Sequence, residues 1–414
     1  MNIQHPIYDK VIPAQCLRGI PPSEIMVPYP SIRSLLDSQM RWHGDKPFII
    51  ELDSNGDRGV LSFNRLFNKS SQGANFLKSA GISFGDHVAI NPQNTIQTLI
   101  QFFSTWMIGA TAVINQKELI ITNQSVHQFS GAEKVFPDDL REMETLLSQY
   151  SEDYQLERKS KLDDEVIIVG KLDMNEELIA VTLTHYNILV NSMAMADWLK
   201  LETGSLLTCD IPLSEVSGIV GCIISALYTG CPVLLSQVEN SEKLFEQIQQ
   251  NEGHIIFTEA KKLSQPKLKK DLTHLRFIVC PHQNLTQELI LRIYDEFKIQ
   301  VISGFCRPET TSFSTLFPIY KNGEEFKKII MNYHDICIGT PLRSNELDIH
   351  NSKGEPLSEG EIGEIVIRGH NVMKGYLNAE KATQEVFKNG WLRTGENGIF
   401  RQAEDGEKLY YISG

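Results

Sequence analysis

"GEIGEIVIRGHNVMKGYLNAEKATQEVFKNGWLRTGENGIF" occupies residues 360–400. Its apolar residues come in short bursts such as "IVI", and Gly, Asn and Asp separate them here and in the flanking "NELDIHNSKGEPL" and "GIFRQAEDGEKLYYISG". Short β-prone runs cut by turn residues predict strands joined by tight turns. The chain from about residue 331 is therefore expected to form a small β-rich unit.

Upstream the rhythm differs. "KPFIIEL" and "VLSF" read as strands, "FNRLFNKSSQGANFLKSAG" as an amphipathic helix ending at glycine, and "DHVAINP" as a short buried strand. A helix, a short turn and a strand follow one another in "TIQTLIQFFSTWMIGATAVIN", "VSGIVGCIISALYTGCPVLL" and "LTQELILRIYDEFKIQVISG". The first two carry glycine where a helix C-terminus needs left-handed backbone. The alternation predicts an α/β fold with helices on the faces of its sheets, and no 20- to 50-residue repeat points to a solenoid. We expect an irregular extension over 1–28, α/β subdomains over 29–190 and 191–330, and the β-rich unit over 331–414.

Composition narrows the partners. The chain has 414 residues, 41% of them hydrophobic, and a net charge of −13 with no run of five like charges, which argues against nucleic acid or an anionic membrane as partner. The start, "MNIQHPIYDKVIPAQ", has neither a basic flank nor an apolar core, and no apolar stretch reaches the ~18 residues of a membrane span. Seven scattered cysteines without a C-x-x-C pair read as reduced thiols. The expectation is a cytoplasmic protein without a membrane span.

The 360–400 block resembles the adenylate-forming superfamily of acyl-CoA synthetases, luciferases and peptide-synthetase adenylation domains, through its frame "GEI.IRG…MKGYLN…T…F…GWL.TG". "LSFNRLFNKSSQGANFLKSAGISFGDHVAINPQN" and "VTLTHYNIL" (181–189) are similar to earlier segments of that family. The resemblance runs from about Ile32 to the end. It implies two stacked α/β subdomains plus a small distorted β-barrel. A C-terminal domain bearing a catalytic lysine normally follows a hinge, and "YYISG" falls about where that hinge begins, so we expect the lysine domain to be absent and the catalytic residue unknown.

The same resemblance assigns site residues. "GKLDMNEEL" (170–178) stands where the family has a Ser/Thr/Gly-rich phosphate loop ending in lysine. Here it has one glycine, no hydroxyl, and the acids Asp173, Glu176 and Glu177, which repel a triphosphate. Lys171 is either a remnant phosphate contact or, more plainly, a solvated loop lysine. In "FIVCPHQNLTQEL", Cys280 to Asn284 replace the small residues of the adenine turn, and His282 is a conceivable base, though a lone turn histidine is commonly structural. In "GFCRPETT" (304–311), Gly304 and Phe305 match the adenine-stacking element and Glu309 the magnesium ligand, while Pro308 removes a hydroxyl and an N–H. Arg307 stands in as a cation or pairs with Glu309, the plainer reading. Glu396 in "WLRTGENG" takes the ribose-chelating position. Glu215, Ser217 and Gly304 fall on the acyl pocket; a glutamate facing it needs a partner or a raised pKa.

Two functions follow. The first is an AMP-dependent synthetase/ligase-like domain with impaired ATP chemistry and a binding or scaffolding role, partnered by a carrier protein or another enzyme of its pathway and needing no cofactor. The second is an active ligase that uses ATP and Mg2+ to turn a carboxylic acid into acyl-AMP and passes the acyl group to a thiol or amine.

Overall fold

The computed structural model describes residues 8–52, 58–114, 126–127, 136–137, 140–172, 178–238, 240–263, 272–320, 322–331, 333 and 335–413. Three sheets organise them. The first runs in the order Gln300–Gly304, Phe277–Pro281, Ile255–Phe257, Leu207–Cys209, Val233–Leu235, Pro47–Leu52 and Arg58–Ser62. All neighbours in it are parallel except the last pair. The second α/β sheet runs Gly375–Tyr376, Leu178–Thr184, Glu165–Leu172, Thr111–Ile114, His87–Ile90 and Val126–His127. The third is antiparallel throughout, from Thr315–Leu316 through Ile336–Pro341, Lys408–Ile412, Trp391–Gln402 and Gly363–Gly369 to Asn345–His350.

Sheet membership does not follow chain order. The hairpin of Pro47–Leu52 and Arg58–Ser62 joins strands from beyond residue 200, and the late pair Gly375–Tyr376 registers on Thr182 and Val181. This second crossing matters most, because it carries the segment from His370 to Tyr376 to the ends of the α/β sheets.

The α/β units form as their local signals require. Thr95 caps the helix Ile96–Ile108, which stops at Gly109 in left-handed backbone, φ +83°. Gly230, φ +74°, ends the helical run after Val216 in the same way. In the third unit Lys298 adopts φ +58° after Gln287–Phe297, so a non-glycine residue takes the left-handed turn there. The run after Val216 is not a plain α-helix: Ser217–Ile224 is π-helical before Ser225–Thr229 turns α, and such bulges often stand at functional sites.

The expected irregular extension over 1–28 needs correction. Tyr8–Gln15 is a helix despite Pro13 inside it. Val11 and Ala14 are buried in the main core, Gln15 Nε2 donates to Met373 O at 2.9 Å, and Arg18 N donates to Glu346 at 2.7 Å. Tertiary burial holds a helix that proline spacing argues against.

Glycine geometry in the β-rich part gives a test. Gly339 and Gly406 both have positive φ, +81° and +87°, but a Cβ on Gly339 would lie 2.0 Å from Leu316 O, whereas none of its surroundings comes within 4 Å at Gly406. Gly406→Ala is expected to lose only the backbone term, ~1–2 kcal/mol. Gly339→Ala should lose clearly more, because backbone must shift between adjoining strands. Urea unfolding of the two variants measures the difference.

Candidate active site

Parallel pairing sets the first part of the site. Pro281 registers on Gly304, so the loops leaving these two strands start side by side. His282 N donates to Gly304 O at 3.1 Å, and the imidazole folds over the neighbouring ring: His282 and Phe305 are stacked, centroids 5.3 Å apart and planes 8° from parallel. Both are buried. The aromatic face expected to receive adenine is thus covered by an imidazole of the chain itself.

His282 Nε2 lies 3.1 Å from Glu396 Oε2, and the other carboxylate oxygen is paired with Arg307 Nη1. Arg307 Nε stands 3.7 Å from Glu309 Oε2. Glu309 Oε1 accepts from Lys171 Nζ at 2.6 Å and from the Tyr376 hydroxyl at 3.0 Å. Lys171, Glu309, Arg307, Glu396 and His282 therefore form one continuous network across the cleft. Arg307 pairs with Glu309, as the plainer reading of the sequence had it, and more closely with Glu396. Nor is Lys171 a solvated loop lysine, since its side chain is 18% exposed and its ammonium is committed to Glu309.

The energetics follow from burial. Glu309 is 4% exposed, and Oε2 has no hydrogen-bond partner among the described residues. Burial pushes its carboxyl up, but Lys171 and Arg307 outweigh that and hold it below its ordinary value. Burial likewise raises Glu396, and His282 and Arg307 more than offset it. Pro308 opens a single 3₁₀ turn, Pro308–Thr310, which aims Glu309 into the cleft, and Met373 N donates to Glu309 O at 2.8 Å. The turn closes on Thr311, a β-branched residue at φ +70° whose hydroxyl bonds Asn371 O at 2.6 Å. Such backbone persists only where its surroundings impose it.

Two cavities flank the network. One of about 460 Å³ is lined by Lys171, Arg307, Glu309, Tyr376, Arg393 and Thr394 among others. The other, about 320 Å³, is lined by Glu215, Ser217, Glu259, Gln283, Asn284 and Cys306 among others. Glu215 is exposed at the rim of this second cavity, where protein crowding and then the Glu259 carboxylate push its carboxyl up. Ser217 is buried in its wall. Gly304 serves packing, since a Cβ there would meet Thr315 O at 2.5 Å. Cys280 is fully buried in its strand, with burial raising its thiol, and it takes no part in the network. Among the described residues no group of three or more His, Cys, Asp or Glu is placed to hold a metal ion.

Asp173, Glu176 and Glu177 lie outside the described residues; the flanking strands Glu165–Leu172 and Leu178–Thr184 pair antiparallel and mount Lys171 opposite Ile179. Tyr376 and Glu259 are site residues that sequence reading missed. Tyr376 sits inside the quoted "MKGYLN", a signal that was there to be used. Glu259 is far from Glu215 in sequence and carries none.

The family described as "AMP-binding enzyme" matches residues 36–119 and 180–377. A 2-succinylbenzoate–CoA ligase of Bacillus licheniformis is 27% identical over 376 residues, which cover 85% of this chain and 74% of the ligase. An oxalate–CoA ligase of Arabidopsis thaliana is 24% identical over 389 residues, 83% and 74% of the two chains. The N-terminal domain of FACL13 from Mycobacterium tuberculosis shares the fold at TM-score 0.77 and 19% identity, over 93% of this chain and 99% of that one. The anthranilate CoA ligase AuaEII in complex with anthranoyl-AMP does so at TM-score 0.79 and 16% identity, over 95% and 79%.

The network makes stability depend on pH. Glu309 and Glu396 titrate below the ordinary glutamate value. Glu165, on the strand of Lys171, is lowered to about 2, first by His87, whose Nε2 lies 3.9 Å from Oε2, and further by Lys374, against burial. Carboxylates depressed in the folded state stabilise it fully above their unfolded pKa of about 4.3, and that contribution is lost as pH falls through the folded values. Melting temperature should fall steeply from about pH 4.5 toward 2 in the wild type and less steeply in Glu309→Gln/Glu396→Gln. Equal slopes would contradict the assignment.

Proposed function

Because the chain belongs to the AMP-binding enzyme family, we propose that it is a carboxylate-ligase-like domain whose nucleotide cleft is filled by its own side chains, and that it serves as a binding or scaffolding partner with little or no ATP chemistry. The observation that carries this reading is the closed network: the stacking face of Phe305 is covered by His282, both oxygens of Glu396 are engaged, and Glu309 is neutralised by Lys171. A nucleotide entering here must displace each of these contacts. Losing one partner of a buried pair typically costs ~3–5 kcal/mol, which the gained contacts must first offset. The fitting partners are a carrier protein or another enzyme acting on the same carboxylic acid.

A second reading, an active ligase, draws support from the survival of Phe305, Glu309 and Glu396 at matching positions and from the two adjoining cavities. It requires ATP and Mg2+, opening of the network on binding, and transfer of the acyl group to a thiol or amine with the help of a lysine-bearing domain. Its substrates would be carboxylic acids of the kind named for the relatives, 2-succinylbenzoate or oxalate.

Calorimetric titration of the 414-residue chain separates the two. No micromolar binding of ATP with Mg2+ is expected, nor pyrophosphate release with either acid; micromolar affinity or acid-dependent release supports the ligase. His282→Ala should bare the Phe305 face and free one oxygen of Glu396. Base stacking on an aromatic ring is worth about 1–3 kcal/mol, so AMP affinity should rise about tenfold or more. An unchanged AMP titration of the folded variant would show that His282 is not what blocks the base.

A further inference from the structure

The magnesium that the family resemblance assigns to Glu309 meets a carboxylate already neutralised from within. Lys171 Nζ is 2.6 Å from Oε1, which also accepts from the Tyr376 hydroxyl at 3.0 Å. Oε2 accepts no hydrogen bond from the described residues but faces Arg307 Nε at 3.7 Å. Mg2+ binds oxygen at ~2.1 Å and keeps near-octahedral geometry. An ion so placed on Oε2 would share one carboxylate with two fixed cations, each within a few ångströms of it. The second carboxylate of the cleft, Glu396, is itself taken by Arg307 and His282. The described residues do not fit the metal.

Lysine is a compact point charge on a flexible stem, and here the stem is anchored. Lys171 belongs to the strand Glu165–Leu172, registered on Ile179, and its side chain is only 18% exposed. We infer that the Lys171 ammonium is a tethered substitute for the divalent ion. Among the described residues the cleft has no divalent site of its own, and removing the ammonium creates one on Glu309. The inference rests on the self-filled cleft proposed above and says which side chain fills the metal position.

Mn2+ replaces Mg2+ as a paramagnetic probe and is titrated without nucleotide, with free Mn2+ followed by electron paramagnetic resonance. The wild-type chain should show no site below millimolar concentration. Lys171→Met should bind one Mn2+ at least tenfold more tightly, and adding Glu309→Gln should abolish the gain. Lys171→Gln, which keeps a hydrogen-bond donor to Oε1, carries the same test if Lys171→Met does not fold. A wild-type Mn2+ site that Glu309→Gln removes overturns the inference, and so does a folded Lys171 variant without any gain. If neither Lys171 variant folds, the wild type decides alone: a site lost in Glu309→Gln overturns the inference, and no site upholds it. Since nucleotide is absent, the ATP titration stays a separate readout. Micromolar ATP binding without a wild-type Mn2+ site would sink the self-filled cleft and leave the ammonium in place.

Discussion

The contact between Lys171 and Glu309 draws together three stretches that lie far apart in the chain. Lys171 comes from a hairpin of the second α/β sheet, Glu309 from the turn that follows the edge strand of the first, and Tyr376 from a segment that leaves the β-rich part to pair with that hairpin. A carboxylate buried this deeply is tolerated only when paired and hydrogen-bonded. The position of each sheet relative to the others is therefore constrained by one charge that cannot be left alone. Met373 N bonding Glu309 O, and Gln15 bonding Met373 O from the N-terminal helix, extend the constraint outward.

The same contact governs chemistry. A cleft that is to receive a polyanion with its metal keeps its cations and its carboxylate available. Here the two kinds of charge are spent on each other, with Lys171 and Arg307 against Glu309 and Glu396. Within this network two cations face two carboxylates, so the charges balance locally. The covering of Phe305 by His282 acts in the same direction on the base. These are separate contacts on separate elements, and both occupy positions that the proposed reading of the cleft turns on.

Backbone geometry shows how such a site is accommodated. The strained Thr311 and the proline-started turn before it set the direction of Glu309, and Asn371 and Met373 tie that turn to the crossing segment. Beyond these residues and the π-helical Ser217–Ile224 beside the second cavity, the scaffold has capped helices and a continuous apolar core. The site departs from local regularity while the scaffold keeps to it, a pattern expected where function or its remnant persists.

Local signals in the sequence determined the class of fold and most of its elements. Glycine at 109 and 230 and the strand that ends "KIQVISG" depend on near neighbours, and the structure shows them as read. The motif frame at 360–400 was enough to identify the family, and Phe305, Glu309 and Glu396 were found as candidates by residue type and place. Sequence alone did not show that the hairpin at 47–62 crosses into the far sheet, that residues 8–15 form a helix around Pro13, or which acid each cation chooses. Those outcomes turn on long-range burial: Arg307 is nearer in sequence to Glu309, yet its closest pairing is with Glu396, 89 positions away. Only the folded chain decides that choice, because the desolvation that makes a pair necessary does not exist until the sheets have packed.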